Sequence, residues 1–343
     1  MVTGSVAAMT AIAFEHVRKE YPDGTVAVAD LSLEVREHEL LALVGPSGCG
    51  KSTTLRMANR LVEPTSGRIL LGGDDVTHVD AVALRRRIGY VIQNVGLFPH
   101  RTVEQNVATV PRLLGWDRAR TRARVGELLE LMGLEPGRYA KRYPHELSGG
   151  ERQRVGVARG LATDPPVLLM DEPFGAVDPV GRRRLQAEFR RIHSEIGTTV
   201  MLVTHDVDEA VQLADRVAVF SRGGHLEQLD EPVRVLTAPA SPPVADLVGK
   251  DAATRLLGLG AVERGDLREV ALGEDLPVDP QAAVRIGSPL AGAFTALAEA
   301  RTGAVPVLDG DATVGILDAD GVLRALRRII DDGADLAAVT ESA

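Results

Sequence analysis

A glycine-rich segment that begins at Gly45 constrains this chain more than any other part of its sequence. It reads Gly-Pro-Ser-Gly-Cys-Gly-Lys-Ser and fits the pattern G-x-x-x-x-G-K-[ST]. The apolar run Leu40–Val44 precedes it, as in a buried parallel strand, and a stretch with helical spacing follows over residues 53–60. This order predicts a loop whose backbone N–H groups close around phosphate oxygens.

The residues of this loop have separate expected roles. Lys51 supplies charge for the β- and γ-phosphates of a nucleotide, and the Ser52 hydroxyl is offered to Mg²⁺. Cys49 is the only cysteine, so it forms no intramolecular disulfide, and we interpret it as a small residue without catalytic duty. A glycine-rich turn with an incidental lysine is disfavoured by the flanking strand and helix. The expected nucleotide contacts are Gly45, Pro46, Ser47, Gly48, Cys49, Gly50, Lys51, Ser52 and Thr53.

Two adjacent carboxylates, Asp171 and Glu172, end a second apolar run at residues 167–170. Open α/β sheets bind their ligands at the carboxyl ends of the strands. We interpret Asp171 as a Mg²⁺ partner through water and Glu172 as the base that orients an attacking water. Alone, such a pair is more often a solvated strand end, but the phosphate loop in the same chain favours the functional interpretation.

The segment 147–153, Leu-Ser-Gly-Gly-Glu-Arg-Gln, has two compatible interpretations. Ser148 and Glu151 form the S-x-x-E pattern that caps a helix N-terminus. The same N-terminus, with Gly149 and Gly150, exposes amides that could bind a phosphate, including one presented by another subunit.

Hydrophobic patterning predicts an α/β fold. Residues 11–36 alternate like strands of a small antiparallel sheet, and residues 103–161 are mostly helical. A helical run at residues 179–196 lies between the buried-type strands 167–170 and 199–203, as in a parallel β-α-β unit. A proline-rich stretch at 238–243 and a change in composition place a domain boundary near residue 249.

Together these motifs resemble the nucleotide-binding subunit of ABC transporters over about residues 11–248. The resemblance implies a P-loop NTPase fold with a RecA-like parallel sheet, an antiparallel β subdomain and a helical subdomain at about 97–160. Residues 1–10 would be an N-terminal tail and residues 11–249 the ATP-binding domain.

The resemblance also assigns roles to single residues. Tyr21 is similar to the aromatic residue that stacks on adenine, and Gln93 to the glutamine that senses Mg²⁺ and water. His205 is similar to the switch histidine that contacts the γ-phosphate. Ser148, Gly149 and Gly150 are similar to the signature that completes the site of the opposite protomer. Asp178 ends a loop that resembles the one joining the two sites, with Val177 where leucine is usual.

The implied catalytic residues are therefore Lys51, Gln93, Glu172 and His205, with ATP as substrate and Ser52, Gln93 and Asp171 around Mg²⁺. The implied partners are a second copy of the chain, integral membrane permease subunits and, indirectly, an extracytoplasmic solute-binding protein. A soluble ABC ATPase of translation or DNA repair is an alternative, but such proteins have two cassettes or a long coiled-coil insert. A nucleotide switch without turnover would lack the base, and Glu172 is present.

Three further stretches narrow the resemblance. Residues 97–107 resemble the stretch of importer ATPases where the helical insert meets the membrane subunit, with an ordinary helix start capped at Thr102 or a neighbour as the alternative. Residues 142–147 and 164–170 resemble the ATPases of osmoprotectant importers. Those systems move glycine betaine, proline, choline or carnitine. An importer ATPase for another small solute remains the alternative, because related importers share much of these stretches.

The segment 250–343 carries nine basic and sixteen acidic residues and reads helix, strand, strand, helix from Leu290 to Ile330. The stretches 304–308 and 315–317 and the helix after Asp320 resemble a CBS motif, which implies a small α+β regulatory or dimerisation domain. Such domains normally pair two motifs, and residues 253–283 do not repeat the pattern. A plain α+β dimerisation cap is the alternative.

Composition excludes other classes of function. The net charge of −9 and 3% aromatic residues disfavour binding of nucleic acid. No run approaches the roughly 18 apolar residues of a membrane span, and residues 1–14 lack the basic start of a secretory signal. These features predict a cytoplasmic protein, and the resemblance to ABC transporters implies that it lies peripherally at the cytoplasmic face of the inner membrane.

Overall fold

The computed structural model describes residues 9–93, 95–175, 177–268 and 282–340, with the backbone alone for residues 333–340. The chain folds into two compact units that divide between Leu229 and Asp230. Of the tail expected at residues 1–10, all but Met9 and Thr10 lies outside the described residues, as does Ala176. Within the described ranges, every helix is too short or too polar to cross a bilayer.

The strands of the first unit form two sheets. Their bounds are β1 (Thr10–Glu20), β2 (Val26–Arg36), β3 (Leu40–Val44), β4 (Ser66–Leu71), β5 (Asp74–Asp75), β6 (Ile88–Val91), β7 (Val167–Asp171), β8 (Thr199–Val203), β9 (Arg216–Ser221) and β10 (His225–Asp230). One sheet has the order β2-β1-β4-β5 and antiparallel pairing, and the other has the order β10-β9-β3-β8-β7-β6. Strands β9, β3, β8, β7 and β6 run parallel, which confirms the predicted α/β core.

The helices of the first unit follow the predicted order. They are α1 (Lys51–Ala58), α2 (Ala81–Arg87), α3 (Val103–Val107), α4 (Thr109–Leu113), α5 (Arg118–Leu131), α6 (Pro136–Tyr139), α7 (Gly149–Gly160), α8 (Pro179–Ile196) and α9 (Val207–Leu213). Helices α3 to α7 lie between β6 and β7 in the chain and confirm the helical insert predicted over residues 103–161.

One apolar core joins the two sheets of the first unit. Strands β3, β7 and β8 are buried at every position, as expected for parallel strands covered on both faces. Phe14 and Leu31 of the antiparallel sheet pack in one cluster with Leu43, Val203 and Cys49. The Cys49 side chain is therefore part of the core, which explains a small apolar residue in the middle of the loop.

The second unit contains five helices and three strands within its described residues, 230–268 and 282–340. They are α10 (Pro232–Thr237), α11 (Pro242–Val248), α12 (Ala252–Leu257), β11 (Val284–Arg285), α13 (Leu290–Glu299), β12 (Ala304–Asp309), β13 (Ala312–Asp318) and α14 (Ala319–Thr340). The sequence α13-β12-β13-α14 confirms the predicted order of helix, strand, strand, helix. Strand β11 pairs with β12 in parallel, and β12 pairs with β13 antiparallel.

The division between the units falls earlier in the chain than the boundary expected near residue 249. Helix α10 packs against α12 and α14, so residues 230–248 group with the second unit. The proline-rich stretch at 238–243 thus connects helices within one compact unit instead of separating two.

The turn from β3 into the glycine-rich loop requires glycine for steric reasons. Gly45 has φ 147°, and a Cβ at this position would overlap the carbonyl oxygen of Phe220 in the neighbouring strand β9. Gly24, at the tip of the β1–β2 hairpin, also has a positive φ of 82°, but a Cβ there would meet nothing within 4 Å. Comparing substitutions at the two glycines therefore distinguishes the effect of backbone strain, which both positions share, from that of the steric clash, which only Gly45 has.

We expect Gly45→Ala to destabilise the protein well beyond Gly24→Ala, whose cost is the left-handed strain of about 1 kcal/mol. The clash with Phe220 forces the loop or β9 to move, so nucleotide affinity should fall as well. Chemical denaturation and nucleotide titration of both variants measure this. Equal losses of stability would mean that the close approach to β9 is not a constraint.

Candidate active site

The phosphate loop ends at a helix N-terminus that is open to a ligand. Gly50 is the N-cap of α1 with φ 101°, and no side chain caps the helix. The first N–H groups of α1 lack intrahelical partners, and the helix dipole makes this end favourable for an anion. A Cβ on Gly50 would overlap the carbonyl oxygen of Ala27, so β2 holds the loop closely from the other side.

Lys51 holds the loop in its curved shape. Its Nζ donates to the carbonyl oxygens of Gly45 at 2.7 Å and Pro46 at 3.0 Å. The residue is only 6% exposed, so the ammonium is fixed at the loop and does not extend into solvent. A positive charge at this point can bind the phosphates predicted from sequence.

Ser52 and Asp171 meet between α1 and the end of β7. The Ser52 hydroxyl donates to Asp171 Oδ1 at 2.8 Å, and Arg56, one turn further along α1, lies 3.8 Å from Asp171 Oδ2. Burial, and after it the charge of Asp171, raises the pKa of the neighbouring Tyr90 hydroxyl, while Arg56 opposes this rise. The predicted metal pair is thus brought together, although sequence reasoning missed Arg56 as its cationic neighbour.

Glu172 lies between two of the residues assigned to catalysis. Gln93 Nε2 donates to Glu172 Oε2 at 2.7 Å, and His205 Nδ1 lies 3.4 Å from the same oxygen. Glu172 has φ 45°, an unusual conformation for a residue with a side chain, and its N–H donates to the carbonyl oxygen of Val203 at 2.9 Å. The backbone therefore turns at Glu172, and three residues distant in sequence come together.

The signature residues begin α7 in the predicted way. Ser148 is the N-cap, and its side chain and that of Glu151 make the reciprocal hydrogen bonds of a capping box. The Tyr139 hydroxyl donates to Glu151 Oε1 at 2.7 Å and fixes this carboxylate. The capping prediction is confirmed, and capping leaves the N-terminal amides of Gly149 and Gly150 at the surface of a cleft.

That cleft has a volume of about 550 Å³ and brings the signature to the loop of Asp178. Asp178 caps α8 by accepting hydrogen bonds from the N–H groups of Val180 and Gly181. The residues that line the cleft include Ser148, Gly149, Gly150 and Asp178 but none from the phosphate loop. Thus the sequence-predicted residues divide into two groups at different places on the unit.

Tyr21 lies at the tip of the β1–β2 hairpin, on the chain segment that leads to Ala27. Its ring is partly exposed, and Lys19 Nζ lies 5.1 Å from the ring centre. Ala27, six residues further along the chain, lies beside Gly50 of the phosphate loop. The adenine contact of Tyr21 stays a prediction.

The structure adds polar residues behind the site that sequence reasoning missed: Arg182 of α8, with Asp206 and Glu209 at the start of α9. Glu209 is 5% exposed. Burial, and after it the charge of Asp206, raises the pKa of Glu209 from 4.5 to about 8, while the Thr204 hydroxyl and Arg182 oppose the rise. The only indication of these residues in the sequence was that they closely follow Asp178 and His205.

A family model described as ABC transporter matches residues 28–175, from β2 to the turn after Glu172. The osmoprotectant import ATP-binding protein OsmV of Salmonella typhimurium is 47% identical over 285 residues, which cover 83% of this chain and 72% of that protein. The glycine betaine uptake system ATP-binding protein YehX of Escherichia coli is 51% identical over 252 residues, 73% of this chain and 81% of that protein.

Among solved structures, a dimeric ATP-binding cassette in a post-hydrolysis state with ADP and phosphate bound is similar with a TM-score of 0.58. It is 32% identical, and the match covers 64% of this chain and 98% of that chain. The shared part is thus a complete cassette in the solved protein and about two thirds of the present chain.

The raised pKa of Glu209 predicts how stability depends on pH. Between pH 4.5 and about 8 the folded protein keeps a proton that the unfolded chain releases, so stability falls as the pH rises through this window. Glu209→Gln removes this titration and should stabilise the protein progressively toward pH 8.5, by on the order of a few kcal/mol.

Melting temperatures of the wild type and Glu209→Gln at pH 5.5 and 8.5 test this, with the exposed Glu130→Gln as the matched control. The difference in melting temperature between Glu209→Gln and the wild type should grow with pH. The difference between Glu130→Gln and the wild type should stay constant. Parallel pH profiles of wild type and Glu209→Gln would show that Glu209 is charged in the folded protein.

Proposed function

The chain belongs to the family of ABC transporter ATP-binding proteins, and we propose that it is the energy-coupling subunit of an importer for quaternary-amine osmoprotectants. The choice of solute rests on the 47% identity to the osmoprotectant protein OsmV, which extends over 285 residues. The first unit of this chain ends at residue 229, so the alignment is longer than that unit. The similarity therefore extends past the cassette into the second unit. The sequence resemblance at residues 142–147 and 164–170 points to glycine betaine, choline, carnitine or proline as solutes.

In the proposed reaction, the oxygen of a water molecule bonds to the γ-phosphorus of ATP while the bond from that phosphorus to the bridging oxygen breaks. ADP is the leaving group, and inorganic phosphate is the other product. The phosphate loop and Lys51 bind the triphosphate, and the N-terminus of α1 stabilises its charge. Glu172 accepts a hydrogen bond from the attacking water and takes its proton. Gln93 and His205 both lie beside Oε2 of Glu172, at 2.7 and 3.4 Å, and position the carboxylate.

The residues between α1 and β7 fit a magnesium ion. Mg²⁺ prefers oxygen ligands and keeps several waters, and Ser52 and Asp171 provide a hydroxyl and a carboxylate already within hydrogen-bond distance of each other. The Gln93 amide offers a third oxygen. When bound, the ion would neutralise charge on the phosphates, and Arg56, 3.8 Å from Asp171 Oδ2, would keep the Asp171 carboxylate oriented.

The cleft at the start of α7 supports the pairing with a second copy. It is lined by Ser148, Gly149 and Gly150 but by no residue of the phosphate loop, so their amides would complete a γ-phosphate site on a partner. Two such chains would act against two integral membrane permease subunits at the cytoplasmic face of the membrane. A solute-binding protein outside would deliver the solute to the permease.

For the second unit we propose a CBS-like regulatory or dimerisation module at residues 250–343. The order α13-β12-β13-α14 supports this assignment, as does the parallel pairing of β11 with β12. Its acidic composition would make the module responsive to ionic strength.

Replacing the proposed base should separate binding from turnover. Glu172→Gln keeps the size and polarity of the side chain but cannot take the proton, so hydrolysis should fall by roughly 10²–10⁴-fold. ATP binding should persist, and the variant should accumulate as an ATP-bound dimer in size-exclusion chromatography. Lys51→Ala, in contrast, should lose nucleotide affinity. Hydrolysis by Glu172→Gln at the wild-type rate would remove Glu172 from its proposed role.

The choice of solute is tested by uptake into vesicles that contain this subunit with its membrane partners. ATP-dependent uptake of glycine betaine, choline, carnitine or proline is expected, because the similarity to the osmoprotectant protein extends beyond the cassette. Uptake should increase at high internal salt. Vigorous ATP hydrolysis without uptake of any of these solutes would leave the ATPase assignment intact and reject the cargo.

A further inference from the structure

Arg182 occupies an unusual place between two loops of the proposed site. It lies in the first turn of α8, where its N–H donates to the carbonyl oxygen of Asp178 at 2.8 Å. Its guanidinium Nη2 donates to the carbonyl oxygen of Val177 at 3.3 Å. The side chain therefore folds back on the residues that lead to Asp178 and fixes the last part of that loop.

The other end of the same guanidinium reaches the loop of His205. Arg182 Nη1 lies 3.6 Å from Oδ2 of Asp206, the residue that follows His205. Asp206 is itself fixed, since its Oδ1 accepts the N–H groups of Asp208 and Glu209 at the N-terminus of α9, at 2.9 and 3.4 Å. Its backbone N–H donates to the Thr204 hydroxyl at 3.0 Å.

The charged partner of Arg182 at the start of α9 is Asp206, because the raised pKa of Glu209 keeps that carboxyl group protonated at neutral pH. Asp206 and the buried Glu209 lie at the start of α9, and Glu172 lies across from them; both Asp206 and Glu172 raise the pKa of Glu209. Arg182 opposes that rise. The side chain of Arg182 is only 28% exposed, which limits screening by water.

We propose that Arg182 is a positioning residue for ATP hydrolysis, which ties the loop before Asp178 to the loop of His205 so that both move as one body beside Glu172. Asp178 lies in the cleft that would face the second copy. His205 lies 3.4 Å from the proposed base. Closure at the cleft is therefore transmitted to the histidine through one guanidinium. The inference rests on the proposed roles of Glu172 and His205 but is independent of the solute.

The test compares steady-state ATP hydrolysis by full-length variants at Arg182 and Asp206. Arg182→Met removes the charge and both contacts, and Arg182→Lys keeps the charge but can reach only one of the two acceptors. Asp206→Asn removes the charge of the partner while keeping the side-chain oxygen that caps α9, since Asn and Asp cap helices about equally well. Arg183→Met, one residue along α8 and exposed, is the matched control.

We expect Arg182→Met and Asp206→Asn each to lower kcat about tenfold with KM for ATP changed less than about twofold, as for loss of an interaction made during turnover. Arg182→Lys should recover part of the loss. The double variant Arg182→Met with Asp206→Asn should be no slower than either single variant, because both remove the same contact. Arg183→Met should match the wild type.

Several outcomes would overturn the inference. If Arg182→Met and Asp206→Asn keep the wild-type kcat, the contact has no role in turnover. If their effects multiply in the double variant, the two residues act separately. If ATP affinity or melting temperature falls in step with kcat, Arg182 has a structural role only. Glu172→Gln, measured in parallel, separates the two proposals. If Glu172→Gln hydrolyses ATP at the wild-type rate, Glu172 is not the base. If Glu172→Gln is inactive while the Arg182 variants keep the wild-type kcat, only the inference about Arg182 is rejected.

Discussion

Backbone hydrogen bonds among the buried parallel strands β3, β7 and β8 determine where the groups of the site lie. Leu43 pairs with Val203, and Asp171 pairs with Val203 on its other side. The ladder continues past the strand ends: the Thr204 N–H donates to Leu43, and the Glu172 N–H donates to Val203. These two bonds place the phosphate loop, the carboxylates and His205 together at the carboxyl ends of the parallel strands. The site therefore depends on the pairing of these buried strands.

The neighbouring carboxylates Asp171 and Glu172 show how a single residue step separates two roles. Asp171 is the last residue of β7, 7% exposed, and its carboxylate is directed to Ser52 of α1. At Glu172 the chain takes φ 45°, and the next carboxylate meets Gln93 and His205 instead. Strained backbone of this kind persists only where the surroundings hold it. Here the bond from the Glu172 N–H to the carbonyl oxygen of Val203 provides that hold, and the turn directs the two carboxylates to different neighbours.

Local sequence patterns predicted most of the fold and the polar pairs that lie near strand ends. A continuous apolar run, a glycine-rich loop and the cap at Ser148 each depend on neighbours in sequence, so they can be read from it. The approach of Gly45 to Phe220, and the contacts of Arg182 with Asp206, depend on how elements far apart in sequence pack. The boundary near residue 249 came from composition, which carries no information on α10 packing against α12 and α14.

The separation of the signature cleft from the phosphate loop has a consequence for control of the reaction. Electrostatic stabilisation of phosphoryl transfer needs hydrogen-bond donors on several sides of the γ-phosphate. In this chain the phosphate loop and the signature residues of the cleft, which could supply such donors, lie at different places. If a second copy supplies the missing donors, turnover requires that the state of one site be communicated to the other. Asp178 is the residue of this chain that lies in the cleft and begins α8, and Arg182 is one turn further along that helix. The planar guanidinium of Arg182 contacts the carbonyl oxygen of Val177 and the carboxylate of Asp206 at once, so it links the two loops. An apolar residue at this position would make neither contact.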